Sequence, residues 1–275
     1  MPELVSIIIP SRSDNDNIAG LLDDLARQKV DVKTEVIRVT GIAPPARARN
    51  NGAKQAKGEM LVFIDCDIRL GGEFYLANLI GLLSSNKAYG AVCASLRLPP
   101  DASAFQRRYS RQIAHYEYDI VDEPAEVFVA SSACFAMSRE LFVSMGGFNE
   151  NIIRGEDSEF SWRLMKAGYH IMLAPNTWCY HPAPADLEEL IRINLRNGSG
   201  VAYVDAFYPK LNIDVHPRAV TQFSAPKTPG QRLRRFLLSC LEAVFRMKAL
   251  LILSKFFYAL GYIAGTVRYR VFKRT

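Results

Sequence analysis

The stretch Met60–Ile64 is an apolar run of strand-forming residues that ends at two acidic residues. It follows Lys57-Gly58 and leads directly into Asp65-Cys66-Asp67. A short apolar run bounded by turn residues is typical of a strand that is buried on both faces of a parallel sheet. Because ligands of open α/β sheets bind beyond the carboxyl ends of the strands, Asp65 and Asp67 stand where a binding site is expected.

The spacing of the two aspartates favours a metal site. If the strand stays extended to its end, Asp65 and Asp67 share a face and Cys66 points away. Two carboxylates held that close repel each other unless a cation or a proton lies between them. Oxygen ligands favour Mg²⁺ or Mn²⁺. Strand-terminal aspartates also cap helices and form turns, so the tripeptide alone leaves both interpretations open.

Strands alternate with helices through the first hundred residues. The predicted strands are Val5–Ile9, Glu35–Val39, Met60–Ile64 and Ala91–Leu96, and the predicted helices are Ile18–Lys29, Pro45–Ala56 and Gly72–Ser85. This alternation predicts an α/β fold with a doubly wound, mostly parallel sheet. No G-x-x-x-x-G-K-[ST] occurs, which excludes a P-loop enzyme, and no G-x-G-x-x-G follows the first strand, which argues against a dinucleotide fold.

After Pro99-Pro100 the pattern is less regular. Further helices are predicted at 102–119, 139–145 and 185–197 and from Arg154 onward, with short strands at 127–130, 133–137, 170–173 and 178–180 and a linker from Tyr208 to Pro229. The glycine pair Gly146-Gly147 is expected to end the short helix, because glycine adopts a left-handed C-terminal conformation freely.

The charge of the chain is divided unevenly between two segments. Residues 227–275 hold eleven Lys and Arg and one acid, Glu242, whereas residues 1–226 have a net charge of −4. The body lacks the basic residues interleaved with aromatics that a nucleic-acid interface requires, so no nucleic acid is expected. The five cysteines form no C-x-x-C pair, which predicts a reducing compartment and no structural zinc. The chain starts with a predicted strand, so no signal peptide is expected.

Several short motifs follow one another in a recognisable order. They are Val5-Ser6-Ile7-Ile8-Ile9-Pro10, Ala48-Arg49-Asn50-Asn51-Gly52-Ala53, Lys57-Gly58-Glu59, Asp65-Cys66-Asp67, Met145-Gly146-Gly147-Phe148-Asn149-Glu150, Gly155-Glu156-Asp157, Trp162-Arg163-Leu164, Gly168-Tyr169 and a lone His181. With these motifs the chain resembles the family 2 inverting glycosyltransferases of the GT-A fold, over residues 4–200. The resemblance implies transfer of a sugar, of the hexosyltransferase type, from a UDP- or GDP-linked donor.

The resemblance also implies roles for individual residues. Asp67 would contact a Mg²⁺ or Mn²⁺ ion directly, Asp65 would lie nearer the ribose or a metal-bound water, and His181 would be a further ligand or a phosphate contact. Asp157, with Glu156 beside it, would be the general base. The segment bordering the nucleotide sugar would include Pro10, Arg12, Arg47, Arg49, Asn50 and Asp65, and Trp162 and Arg163 would line the acceptor site. From the residues alone, His181 also fits a surface histidine, the arginines an exposed helix face and Trp162 a core position.

Two departures from the usual family pattern bear on substrate. Where the family ends its second strand in a D-G-S-type motif, this chain has Val39-Thr40-Gly41-Ile42, so Asp14 or Asp16 would take over part of the contact with the base. The Q-x-x-R-W motif of processive synthases is absent, which favours transfer of a single residue. The alternatives are an inactive carbohydrate-binding relative and a sugar-nucleotide pyrophosphorylase. The lack of glycine from Ser11 to Asn17 argues against the second.

The basic tail, residues 227–275, is predicted to be a membrane-association segment after a catalytic domain at 1–226. Amphipathic helices are expected over Gln231–Leu253 and Phe256–Val267, and neither apolar stretch reaches the roughly 20 residues that span a bilayer. Basic amphipathic helices lie in the membrane interface. The tail therefore predicts a peripheral enzyme on the cytoplasmic face of the membrane with a lipid-linked glycan acceptor. Two alternatives remain open: a marginal span over Ala249–Val267, which Lys255 interrupts, and a helical hairpin packed on the protein or on a homodimer partner.

Overall fold

A computed structural model of the chain describes residues 2–113, 119–208 and 229–272. Within these ranges the strands are β1 (Leu4–Ser11), β2 (Lys33–Thr40), β3 (Met60–Ile64), β4 (Arg69–Leu70), β5 (Tyr89–Arg97), β6 (Ala125–Val127), β7 (Cys134–Ser138) and β8 (His170–Tyr180). The helices are α1 (Ala19–Ala26), α2 (Pro45–Gln55), α3 (Tyr75–Ser85), α4 (Ala104–Gln112), α5 (Arg139–Ser144), α6 (Glu156–Lys166), α7 (Leu187–Phe207), α8 (Pro229–Phe245) and α9 (Ala249–Phe272).

The described strands form one mostly parallel sheet in the order β2-β1-β3-β7-β5-β8-β4, with β6 paired to β8. Parallel pairs join β1 to β2, β1 to β3 and β5 to β8, whereas β7 runs antiparallel between β3 and β5. The mixed sheet brings the carboxyl ends of β1, β3, β5 and β8 to one edge.

Helices cover both faces of the sheet, because successive residues of its central strands point to opposite faces and are apolar on each. Val62 and Ile64 of β3 pack in one core cluster with residues of α1 and α3. Leu61 and Phe63 pack in the other, with residues of α2, α5 and α6. Phe63 is the centre of an aromatic group in this second layer, with Phe135, Phe142 and Phe148 at ring-centroid distances of 5.0 to 5.6 Å. The two-layered burial confirms the α/β, doubly wound prediction.

Some elements differ from their predicted form. The strand predicted at 127–130 lies at Ala125–Val127, and the two strands predicted at 170–173 and 178–180 are one strand, β8. β8 continues through residues 175–177 because the register shift at this point is accommodated within the strand, where Asn176 takes a φ of 50°. The helix predicted at 102–119 was too long: α4 ends at Gln112, where Ile113 takes an extended conformation. Residues 114–118 lie outside the described ranges. The predicted linker falls almost entirely on residues 209–228, also outside them.

The C-terminal helices also divide at a different place than predicted. The chain does not continue as one helix from 231 to 253: α8 ends at Phe245, and Met247 takes a left-handed φ of 50° before α9 begins. α9 then runs unbroken through Lys255. Helix α7 continues to Phe207, ten residues beyond its predicted end.

The chain forms two compact units. One contains the sheet with α1, α2, α3, α5 and α6, and the other contains α4, α7, α8 and α9. In the helical unit α7 and α9 approach so closely that their backbones touch. A Cβ atom on Gly198 would lie 2.0 Å from the carbonyl oxygen of Tyr258, and one on Gly261 would lie 2.1 Å from that of Leu195. The boundary predicted at residue 226 stays a prediction.

Candidate active site

Three residues with metal-binding side chains meet at the carboxyl edge of the sheet. One ligand atom from each of Asp65, Asp67 and His181 lies within 4.8 Å of the other two. The aspartates follow β3 and His181 follows β8, two strands that run in the same direction. Their approach depends on β4, because Arg69 pairs with Tyr180 and so carries the segment after β3 to the end of β8.

The two aspartates converge for a different reason than the one predicted from sequence. β3 ends at Ile64, and residues 65–67 form a turn rather than an extended strand. Ile68 donates to the carbonyl of Asp65 at 3.2 Å, and the Asp65 N–H donates to Ala133 at 3.0 Å. The turn rather than strand alternation therefore brings the carboxylates together.

Arg49 is the electrostatic centre of the site, and its role was not predicted. Its side chain, 3% exposed, lies between two acids, with Nη2 2.6 Å from Asp65 Oδ1 and Nη1 2.9 Å from Glu156 Oε1. Burial opposes the charged guanidinium, but the carboxylates of Asp65 and Glu156 outweigh it and raise the pKa of Arg49. Arg49 therefore links the end of β3 to the start of α6, and its contact with the nucleotide sugar stays a prediction.

The Glu156-Asp157 pair forms the first turn of α6. Gly155 precedes it with φ 87°, a conformation that glycine adopts without strain. Acidic residues are stabilised there by the unpaired N–H groups of the helix N-terminus. Glu156 is buried, whereas Asp157 is partly exposed and accepts the Ser158 N–H at 2.7 Å. Burial raises the pKa of Glu156, the neighbouring Asp157 carboxylate adds to the rise, and Arg49 opposes it.

The carboxyl of Asp67 differs from that of Asp65 in its surroundings. Asp67 remains solvent-accessible, but loss of hydration raises its pKa; His181 opposes this rise and the Asp65 carboxylate adds to it. Arg12 also lowers the pKa of Asp67, so its guanidinium acts on the same site. A bound cation would stabilise the ionised form of the Asp67 carboxyl and so oppose this rise in its pKa.

The loop after β1 is fixed beside these carboxylates by Arg38 of β2. Arg38 Nη2 donates to the carbonyl oxygens of Ser13, Asp14 and Asp16 at 2.9 to 3.2 Å. Asp16 in turn accepts the backbone N–H of Arg12 at 2.6 Å. The role of Arg38 could not be predicted, since it contacts carbonyl groups that no sequence pattern marks.

Cys66 closes the contact between this loop and the Asp65–Asp67 turn. Its Sγ lies 3.9 Å from Asp16 Oδ2. Burial, with the charges of Asp67, Asp16 and Asp65, raises the pKa of the thiol to about 11. Cys66 is therefore held as a neutral thiol. All five cysteines are unpaired.

Three further residues predicted to border the nucleotide sugar, Pro10, Arg47 and Asn50, lie on β1 and α2. Pro10 is half-buried near the end of β1, between the buried residues Ile9 and Ser11. Arg47 is exposed and pairs with Glu150 at 3.2 Å. Asn50 is buried, where it donates to the Phe148 carbonyl at 2.8 Å and accepts the Phe148 N–H at 2.9 Å. Asn50 thus holds the segment after the Gly-Gly turn to α2, a structural task that the nucleotide-binding prediction did not include.

The two residues predicted to line the acceptor site lie on α6. Trp162 is half-buried. Arg163 forms an ion pair with Glu159 at 2.7 Å and donates to the carbonyl oxygens of Met145 and Gly147. Its guanidinium ties α6 to the end of α5, so the geometry gives it a structural task. A role in acceptor binding stays a prediction for both residues.

Comparison with known proteins gives a family match and several distant relatives. Residues 4–200 match the family described as glycosyltransferase like family 2. Polypeptide N-acetylgalactosaminyltransferase 11 of Xenopus tropicalis is 24% identical over 190 residues, which are 62% of this chain and 31% of that protein. A pre-mycofactocin glycosyltransferase of Mycobacterium tuberculosis is 24% identical over 195 residues, 68% of this chain and 40% of that protein. The chain thus spans well under half the length of these curated relatives.

Solved structures show similarity over more of the chain. The mannosyltransferase PcManGT from Pyrobaculum calidifontis, in complex with GDP-Man and Mn²⁺, has a TM-score of 0.59 at 16% identity, covering 97% of this chain and 87% of that one. GalNAc-T7 with UDP, GalNAc and Mn²⁺ has a TM-score of 0.50 at 13% identity, covering 76% and 49%. At these identities the similarity concerns the fold, and it confirms the predicted GT-A architecture.

Proposed function

Because the chain belongs to the glycosyltransferase-like family 2, we propose that it transfers one sugar residue from a UDP- or GDP-linked donor to an acceptor hydroxyl group, with inversion at the anomeric carbon. The observation that carries the proposal is the meeting of Asp65, Asp67 and His181 within 4.8 Å. These residues stand at the sheet edge where ligands of α/β folds bind.

The donor set fits a divalent cation. Two carboxylates and one imidazole supply the oxygen and nitrogen ligands that Mg²⁺ and Mn²⁺ accept, with no thiolate to favour zinc. Asp65 gives one oxygen to Arg49 and keeps the other for a ligand. The Mn²⁺ in the two solved structures named above supports the same assignment. A bound cation would neutralise the negative charge that develops on the departing nucleoside diphosphate.

The loop after β1 would bind the diphosphate side of the donor. Arg12 extends from a loop whose backbone is held by Arg38 and Asp16, and its charge already acts on Asp67. A guanidinium can donate two parallel hydrogen bonds to phosphate oxygens. We assign phosphate contact to Arg12 rather than to Arg49, whose guanidinium is occupied by two carboxylates.

Asp157 is the residue we assign as general base. Of the pair at the start of α6, Glu156 is buried in its ion pair with Arg49, and Asp157 is the partly exposed one. The Asp157 carboxylate would accept the proton of the acceptor hydroxyl as its oxygen attacks the anomeric carbon. General bases contribute about 10²–10⁴-fold to rate. A single base and direct displacement give inversion.

Two further features define the acceptor. The chain lacks the Q-x-x-R-W motif of processive synthases, which supports transfer of one residue per binding event. We propose a lipid-linked glycan as the acceptor and the cytoplasmic face of the membrane as the place of reaction. Both the acceptor and the place of reaction rest on membrane binding by helices α8 and α9.

The test is donor turnover by the full chain. Purified protein is incubated with a panel of UDP- and GDP-linked hexoses and Mn²⁺, and nucleoside diphosphate release is measured with and without a chelator. Release that the chelator stops is the expected result. Release in excess chelator, or none with any donor, would overturn the proposal. Nucleoside triphosphate formed on addition of pyrophosphate would identify a pyrophosphorylase instead.

A further inference from the structure

The helical unit exposes two rows of large apolar side chains, each of them more than a third accessible to solvent. The row on α8 consists of Leu233, Leu237, Leu238, Leu241, Val244 and Phe245, and the row on α9 consists of Ile252, Phe256, Leu260, Ile263 and Val267. At about 100° per residue, the five α9 residues fall within an arc of about 80°. Phe245, 87% exposed, and Met247, 86% exposed, join the two rows at the turn. We call these twelve residues the α8–α9 apolar surface.

We propose that the α8–α9 apolar surface binds an anionic lipid bilayer, with both helices lying in the plane of the membrane interface. The partner is a lipid surface, and binding requires neither the sugar donor nor the proposed metal.

Charge argues for lipid as the occupant. Residues 227–275 hold eleven Lys and Arg against one acid. Arg234, Arg246 and Arg268 are exposed on the same two helices as the apolar rows. Each Lys or Arg near an anionic membrane strengthens binding about fivefold. An apolar row flanked by cations is the pattern of a helix that lies on a membrane.

The single lysine within the apolar part of α9 does not contradict this assignment. Lys255 is half-buried and lies 5.5 Å from the ring centroid of Phe236 on α8. Burial lowers the pKa of Lys255. Its charge is therefore accommodated between the two helices rather than directed into lipid.

The packing of α9 on α7 argues against a helix that crosses the membrane. The expectation that neither apolar stretch is long enough to span a bilayer was wrong: by length and composition, residues 249–269 of α9 are sufficient, because α9 continues through Lys255. However, the backbone of α9 touches that of α7 at Gly198 and Gly261, and Tyr262 Oη donates to Asp205 of α7 at 2.9 Å. A spanning α9 would carry these contacts into the hydrocarbon, where charged groups are costly. Only the face opposite α7 is available to lipid.

The first experiment is flotation of the full chain with vesicles of phosphatidylcholine, with and without about a third phosphatidylglycerol. We expect flotation with the anionic vesicles at low salt, and weaker flotation at high salt because counter-ions screen the charges. Binding that ignores lipid charge, or no binding at low salt, would overturn the proposal.

Matched substitutions separate this surface from general effects on folding. Phe245→Ser should weaken partitioning about tenfold, because it removes an apolar side chain that the lipid would bury. The control Val143→Ser, at an exposed position of α5, should leave partitioning unchanged. Arg246→Gln should weaken it about fivefold, and Arg192→Gln should not. Both arginine side chains are 65% exposed and pair with a glutamate on their own helix. Equal effects within either pair would contradict the assignment.

The orientation is tested with tryptophan at two positions of the α9 row. Leu260→Trp and Val267→Trp are bound to anionic vesicles containing lipids brominated at shallow or deep positions, and emission of the unmodified chain, from Trp162 and Trp178, is subtracted. Helices in the interface place both positions at the same shallow depth. A spanning helix would place position 260 near the bilayer centre, roughly 10 Å deeper than position 267. Deep quenching at 260 alone would overturn the in-plane orientation.

A second copy of the chain is the competing occupant. Light scattering after size exclusion distinguishes it, because a dimer held by this surface should dissociate with Phe245→Ser. A dimer of that kind, combined with no flotation, would replace lipid as the partner. Since no donor is present in these measurements, failure of the membrane proposal leaves the proposed transferase activity intact.

Discussion

The turn after β3 carries the pair Asp65 and Asp67, and α6 begins with the pair Glu156 and Asp157; Arg49 binds one residue of each pair. Asp65 and Glu156 form its ion pairs, while Asp67 and Asp157 have no contact to it. The two regions differ in what surrounds the remaining carboxylate. Asp67 is accessible and close to His181, whereas Asp157 is partly covered and hydrogen-bonded within its own helix.

The difference indicates how the same residue type can perform two tasks. The carboxylate that meets a second acid and an imidazole is suited to holding a cation. The carboxylate at the start of α6, whose neighbouring acid Glu156 is already paired with Arg49, is suited to accepting a proton. Arg49 neutralises the other member of each pair, so both tasks are possible in one site without the repulsion of four unpaired acids.

The largest expected effect is at the β3 turn. Asp67→Asn should lower Mn²⁺-dependent turnover by about 10³-fold or more, because metal stabilisation of the leaving group is worth several kcal/mol. Turnover is measured with the best donor at saturating Mn²⁺. Asp122→Asn, an exposed acid outside the site, is the control. A variant at position 67 with more than a tenth of normal activity would remove the metal role from this turn.

The α6 turn is tested by separating its two acids. Asp157→Asn should lower turnover by about 10²–10⁴-fold with donor affinity unchanged, and Glu156→Gln should lower it less, because the amide oxygen can still accept from Arg49. Steady-state kinetics and donor titration measure the two quantities. The anomeric configuration of the product is read by proton NMR. A product with retained configuration, or a greater loss at 156 than at 157, would contradict the assigned base.

Breaking the link between the two regions should cost stability. Arg49→Met leaves two carboxylates without their buried partner, so the free energy of unfolding should fall by about 3–5 kcal/mol. Arg47→Met, two residues earlier on the same helix, removes an exposed ion pair with Glu150 and should cost at most about 1 kcal/mol. Urea denaturation compares them. Similar losses at the two positions would mean that Arg49 is not the link described.

The smallest expected effect is a pH dependence of stability at Glu156. Its pKa is raised in the folded state above the ordinary value of 4.5, so the folded protein keeps a proton that the unfolded chain releases. The contribution of Glu156 to stability is therefore greatest at low pH and is lost as pH rises through the raised pKa. The stability of Glu156→Gln relative to wild type should rise over that interval. Urea denaturation from pH 4 to pH 8 tests it, and a constant difference would disagree.

Apolar patterning predicted the fold but not the direction of every strand. The alternation of strands and helices before residue 97 gave the doubly wound arrangement because both faces of β1 and β3 had to be covered. The same pattern did not reveal that β7 runs antiparallel between β3 and β5. A short apolar run such as Cys134–Ser138 reads alike in either direction. The end of α8 was missed because Arg246-Met247-Lys248 contains neither Gly nor Pro.

The sequence predicted that Asp65, Asp67 and His181 belong to one site. It did not predict the ion pairs by which Arg49 connects the parts of that site. Asp65 and Asp67 were identified from their place after a buried strand, and His181 only through the family resemblance. The role of Arg49 depends on Glu156, which is 107 residues away along the chain. No local pattern distinguishes such an arginine from one on an exposed helix face. Burial and partners, which decide its role, exist only after folding.

The touching backbones of α7 and α9 bear on how this protein can be shortened. Removing residues 227–275 would remove the proposed lipid-binding surface, and it would also strip α7 of the helix that lies against Gly198 and Ala202. The face of α7 that packs on the backbone of α9 would then be exposed to water and would favour aggregation. A soluble form is better sought by replacing exposed apolar residues of α8 with polar ones while α9 stays in place.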